Sequence, residues 1–186
     1  EGKTAIVAIN GDLWMMSSAH SRVEGSGTSY GGYSDAVVTK ALTLPRGFNV
    51  YDGEIVCSAY MQQETPYEGE FWSFGVTEDN VPMIGCPELI MSVTNNATGT
   101  TVNPHGLNRL PANNALVVYT DKGCLNNYAL SDAYEVVIDC GYDYTVRSGA
   151  SITGTVTGIY SSSTATDPTM QANRIILTAR GSALSM

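Results

Sequence analysis

Three features of the sequence predict an α+β fold that is strongly β-rich, a mixed twisted sheet with hairpins and few short helices. Runs of β-branched and aromatic residues bounded by Gly, Pro, Asn or Asp recur along the chain. Some of these runs face each other across short turn sequences. Helical periodicity is nearly absent, and Ser34 to Ala41 supports one or two turns at most. With 186 residues, 43% hydrophobic and 15% charged, the chain has enough apolar surface to offset the entropy of ordering one core. Residues 1–186 are therefore read as a single domain or the N-terminal part of one.

The first element is Thr4 to Asn10, a nearly continuous apolar run of the kind a strand covered on both faces has. Gly25 to Gly32 is a Gly and Ser loop without the Gly-Lys-Ser/Thr ending of a phosphate-binding loop, which excludes a nucleotide site there. From Phe48 to Ser58, Asp52-Gly53 sits between two strand-like arms, the strongest short-range hairpin signal. A second hairpin joins Phe71 to Val76 with Val81 to Ile84 across Thr77 to Asn80, and Pro82 is tolerable there only at a strand start or edge. Later strands are expected at Glu88 to Val93, Asn114 to Thr120, Tyr134 to Cys140, Ser151 to Tyr160 and Arg174 to Ala179. No repeat and no composition shift marks a linker.

Nine basic against eighteen acidic residues give a net charge of -9. Without a cluster of Lys and Arg this excludes nucleic-acid binding. A phosphate-bearing ligand would need local cations. No stretch approaches the roughly 20 apolar residues that cross a bilayer, so membrane insertion is not expected. Glu1-Gly2-Lys3 lacks the basic start and apolar middle of a signal peptide, and Glu1 is read as a processing boundary. Cys57, Cys86, Cys124 and Cys140 are even in number and widely spaced. They read as two disulfides, Cys57 with Cys86 and Cys124 with Cys140, in a secreted or cell-surface protein, against four buried thiols in a cytosolic one. The tight ligand spacing of a zinc site is missing, and neither metal nor cofactor is implied.

At Ala8-Ile9-Asn10-Gly11-Asp12-Leu13-Trp14 the first strand runs into a motif that resembles the Asn-Gly-Asp-Phe-Phe opening of the phosphodiester glycosidase domain family. That family contains the lysosomal uncovering enzyme and many bacterial exopolysaccharide-related proteins. The resemblance continues in order through Pro45-Arg46-Gly47 and Asp52-Gly53-Glu54, then Phe74 to Gly85, then Gly106-Leu107-Asn108-Arg109. Asn114 to Thr120 and Ile176 to Gly181 complete it. Two departures stand out: Met15 to Leu44 is longer and richer in glycine than the family's connection, and the family's later Asp-Gly-Gly-Gly-Ser signature does not occur before Met186. The resemblance thus implies the N-terminal half of such a domain, with the C-terminal half as its partner and little or no activity by itself.

The implied reaction removes a sugar from a sugar 1-phosphodiester. Its leaving group is a phosphate monoester whose last ionisation lies near pKa ~6, so it needs anion stabilisation more than a general acid. The sugar develops oxocarbenium character and benefits from a carboxylate acting as nucleophile or as base for water. The resemblance assigns Asp12 that role, with Asn10 orienting a sugar hydroxyl or holding Asp12. A tight Asn10-Gly11 turn braced by Asp12 is the purely structural alternative. Asn108 and Arg109 are assigned to the phosphate, Arg109 by a bidentate contact, against a surface arginine paired with any acid. Arg22, His20 and His105 are further candidates. Glu64, Glu68 and Glu70, interleaved with Tyr60, Tyr67, Phe71 and Trp72, suit either a sugar-stacking rim or a loop whose aromatics fold inward. A non-catalytic glycan-binding or adhesive module fits the eleven tyrosines and the acidic surface, and a shell or filament subunit with open edge strands is a third reading.

Overall fold

The computed structural model describes residues 47–59, 72–109, 111–122, 133–161 and 171–185. These residues are strand-rich, and helix among them is confined to the 3-10 turn Gly181–Ser185. The expected strand at Thr4 to Asn10 and the helical turns at Ser34 to Ala41 lie outside the described residues.

Strands β1 (Asn49–Tyr51) and β2 (Glu54–Cys57) form the hairpin that Asp52-Gly53 predicts. Asp52 has φ 50 and Gly53 φ 75. The pair of left-handed residues makes the two-residue turn whose twist matches the strands, which Gly adopts freely and Asp tolerates. Strands β3 (Ser73–Val76) and β4 (Pro82–Gly85) pair antiparallel as the second expected hairpin. Its turn is closed by Thr77, whose Oγ1 accepts from the Val81 N–H at 3.1 Å. Pro82 opens β4, where no ladder donor is needed.

The strand expected at Glu88 to Val93 does not form. Only β5 (Val93–Thr94) pairs, with β6 (Thr101–Val102), around a turn in which Asn95 Oδ1 accepts from the Ala97 N–H at 3.0 Å. Leu89, Met91 and Val93 still alternate inward onto the core while Ile90 is exposed. The period-2 pattern therefore reports burial correctly, and residues 88–92 lie against the core without a paired strand among the described residues.

The main sheet has five strands in the order β10-β9-β11-β8-β7. They are β7 (Gly106–Leu107), β8 (Leu116–Tyr119), β9 (Ala133–Asp139), β10 (Thr155–Ser161) and β11 (Arg174–Arg180). β7 runs parallel to β8 and every other pair is antiparallel, so β7, β8 and β9 point the same way and the sheet is mixed, as expected. The β10–β9 register slips between Val156 and Gly158, a bulge in the outermost described strand on that side.

One face of this sheet presents Leu107, Leu116, Val118 and Leu177, which pack with Ile55 and Ala183 and are flanked by Phe48, Leu89, Met91, Val136, Ile138 and Ile175. Each fully buried Leu or Val stabilises the fold by about 1.5–3 kcal/mol. The opposite face is buried too, for Val117, Tyr119, Ile176 and Thr178 are all 0% exposed. The central strands β8 and β11 are thus covered on both faces.

Candidate functional site

The carboxyl ends of β7, β8 and β9 meet the amino ends of β10 and β11 along one rim of the main sheet. Asn108 and Arg109 follow β7, Thr120 and Asp121 follow β8, and Asp139 and Cys140 close β9. Arg174 stands opposite Asp139 in the β11–β9 register, and Thr155 opposite Asp139 in the β10–β9 register. Polar side chains thus cross the whole sheet at one level, while the strands behind them carry the core.

Asn108 has φ 52, a left-handed turn that asparagine adopts more readily than most residues. The turn aims its amide back into the fold. Nδ2 donates to Val56 O at 2.7 Å and to Thr120 Oγ1 at 2.8 Å, and Oδ1 accepts from the Thr120 N–H at 2.8 Å. Arg109 is 0% exposed. Its Nε donates to Ser58 O, and its Nη2 to Gly47 O at 2.6 Å and to Cys57 Sγ at 3.2 Å. Tyr119 Oη donates to the Arg109 carbonyl. Ser58 and Leu107 bond reciprocally, since the Ser58 N–H donates to Leu107 O and the Leu107 N–H to Ser58 Oγ, each at 3.1 Å. These contacts tie the end of β2 to the ends of β7 and β8.

Asn108 and Arg109, which the resemblance assigns to the phosphate, are thus both buried and bonded within the fold. Both are internal latches: a buried guanidinium surrounded by backbone carbonyls is worth more to the fold there than at a wet surface, because each orphaned carbonyl would cost about 1–3 kcal/mol. His105 is likewise structural, its Nδ1 accepting from the Leu116 N–H at 3.0 Å. The expected Cys57–Cys86 bridge is not formed. Cys57 lies buried against Arg109, whereas Cys86 is exposed beyond the β3–β4 hairpin, in a different sheet. Cys140 is a buried thiol, and its expected partner Cys124 lies outside the described residues, as do Asn10, Asp12, Arg22, His20 and the Glu64 to Glu70 run. Trp72, at the edge of that run, is 76% exposed and so is not folded inward.

The rim gathers charge that sequence reading missed. Tyr144 is buried, and its hydroxyl donates to Arg174 O at 2.7 Å. Burial, then the negative charges of Asp121, Cys140 and Glu54, push its phenol well above the ordinary value of 10.0. Burial, then Asp139, push the Cys140 thiol up from 9.0. Glu54 Oε1 and Asp121 Oδ1 are buried without a hydrogen-bond partner among the described residues. No group of three His, Cys, Asp or Glu suited to a metal occurs among the described residues. The available signal was an acid immediately after an apolar strand, Tyr119-Thr120-Asp121 and Ile138-Asp139-Cys140-Gly141.

Beside Asp139 the rim opens into a depression of about 470 Å³ lined by Asp139, Cys140, Thr153, Thr155 and Thr157 with two glycines. No helix among the described residues is long and apolar enough to cross a membrane. Comparison with protein-family models, with curated proteins and with solved structures finds no match to this chain.

Proposed function

We propose that the chain is part of an α+β phosphodiester glycosidase domain that hydrolyses a sugar 1-phosphodiester. The observation that supports this reading is spatial. Gly106 to Arg109, Asn114 to Thr120 and Ile176 to Gly181, three segments that carry the resemblance, the last of them far from the other two in sequence, include the neighbouring strands β7, β8 and β11. Asp52-Gly53, a fourth, forms the turn of the β1–β2 hairpin, whose β2 meets β7 through Ser58 and Leu107.

On this reading Asp12 supplies the carboxylate that meets the anomeric carbon, Asn10 orients it or a sugar hydroxyl, and Arg22 faces the phosphate. Asn108 and Arg109 act at one remove by fixing the strand ends. Further groups would belong to the later half of such a domain, and the protein works outside the cell or at its surface. The test is release of free sugar from a methyl ester of a sugar 1-phosphate by this chain, alone and joined to the later half of a domain of that family. Asp12→Asn should lower turnover by roughly a thousandfold or more, as loss of a catalytic carboxylate does; unchanged turnover ends the proposal.

A second reading, a non-catalytic glycan-binding module, is favoured by Trp72 and Phe74, which are 76% and 48% exposed on the β3–β4 hairpin. Glycan binding that survives Asp12→Asn, with no turnover by any form of the domain, selects it.

A further inference from the structure

We propose that the depression at the β9–β10 end of the rim binds a neutral polyhydroxylated ligand, a pyranose ring, through Asp139 and the hydroxyls of Thr153 and Thr155. The inference rests on the cavity alone and is independent of whether the chain cleaves a phosphodiester. The site is an open depression of about 470 Å³, so a ring bound there would rest against one wall with its other face in solvent.

The carboxylate is preorganised. Asp139 Oδ1 accepts from the Gly141 N–H at 2.8 Å and from Asn173 Nδ2 at 3.0 Å, which holds the group in one orientation and leaves Oδ2 as an acceptor. Gly141 delivers that N–H from φ 71, a conformation that side-chain-bearing residues rarely adopt. Gly154 lets the opposite wall approach closely, because a Cβ there would stand 2.6 Å from Ile138 Cγ2 and 2.7 Å from Asp139 O. Thr153 and Thr155 flank that glycine, and both are exposed. Tyr142 Oη accepts from the Thr153 N–H at 3.1 Å, which fixes a half-exposed aromatic ring beside the same wall.

Charge selects among ligand classes. Among the described residues no basic side chain lines the depression, so none of them neutralises a phosphate or sulfate there. The single carboxylate already serves two donors, and the described residues hold no acid cluster for a metal. A carboxylate oxygen and two hydroxyls, which donate as well as accept, match vicinal sugar hydroxyls.

The test is a titration of the isotopically labelled chain, followed by amide NMR shifts, with methyl α-glucopyranoside and methyl β-galactopyranoside. Methylammonium and inorganic phosphate serve as the charged comparisons. The expected result is saturable shifts at Gly141, Thr153 and Thr155 with millimolar affinity for at least one glycoside. Thr155→Val and Asp139→Asn should each weaken it about tenfold, the scale of one hydrogen bond. If Asp139→Asn fails to fold, Thr153→Val and Thr155→Val decide. Saturation by methylammonium or phosphate in place of the glycosides, no saturation by either glycoside, wild-type affinity in Thr155→Val, or loss of binding in Trp72→Ala would each overturn the proposal.

Discussion

The rim of the main sheet and the β3–β4 hairpin invert the usual distribution of polar and apolar groups. At the rim a whole arginine and an asparagine are 0% exposed. On the hairpin Trp72, Phe74, Val76, Met83 and Ile84 are all between 48% and 76% exposed. Phe74 and Ile84 face each other across the two strands with Val76 on the same side, while Met83, opposite Gly75, points to the other side. The contrast teaches that position in the sheet, more than residue type, decides what is buried here. A two-stranded ribbon is marginal by itself and contributes little core, whereas the central strands β8 and β11 are buried on both faces and hold polar groups such as Asn108 and Arg109 inside beside them.

The contrast breaks first at Arg109. Arg109→Ala removes donors to Ser58 O, Gly47 O and Cys57 Sγ and empties a packed site, and is expected to cost about 4 kcal/mol or more. Denaturant unfolding reads this directly, and a loss below about 1 kcal/mol would show that the guanidinium is incidental. Asn108→Ala should cost about 2–3 kcal/mol, because Val56 O and the Thr120 N–H lose their partners and the left-handed backbone loses a tolerant residue. Asn108→Gly relieves the backbone part only and should fall between the variant and the wild type.

Tyr144→Phe should cost about 1 kcal/mol at neutral pH, the value of the bond to Arg174 O. It also sharpens the comparison through pH. The folded protein holds the Tyr144 proton more tightly than the unfolded chain, so this stabilisation is whole below pH 10.0 and is lost as pH climbs above it. Cys140 acts in the same sense from 9.0 upward. Stability measured from pH 9 to 12 should therefore fall more steeply in the wild type than in Tyr144→Phe. The smallest effect belongs to the hairpin: Ile84→Thr should change stability by no more than about 0.5 kcal/mol, as an exposed substitution does. A loss of about 2 kcal/mol would mean that the ribbon is packed in solution.

Local chemistry was legible in the sequence wherever a few neighbouring residues decide the outcome. Asp52-Gly53 encodes its turn through backbone sterics, Thr77 to Asn80 encodes another, and the β-branched runs at Leu116–Tyr119, Ala133–Asp139 and Arg174–Arg180 encode their strands. Strand order was not legible, because β7 finds β8 in parallel through contacts that no short window contains. The same limit explains Glu88 to Val93, whose alternation specifies a buried side but not a hydrogen-bonding neighbour. It explains Arg109 as well: an arginine after a Pro-containing stretch reads as surface until Gly47 and Ser58, 62 and 51 positions away, supply carbonyls for it. Tyr144 and Asp121 belong to the rim only through the fold, and nothing in their immediate sequence places them together.

The slip between Val156 and Gly158 matters for how these molecules behave in a crowd. Outermost strands with regular spacing invite foreign backbones to add on, the route by which sheets grow into fibres. An extra residue there twists the margin and spoils the repeat that a newcomer would have to match. Excising Thr157 would remove the extra residue and straighten that border, leaving it better matched to an incoming strand.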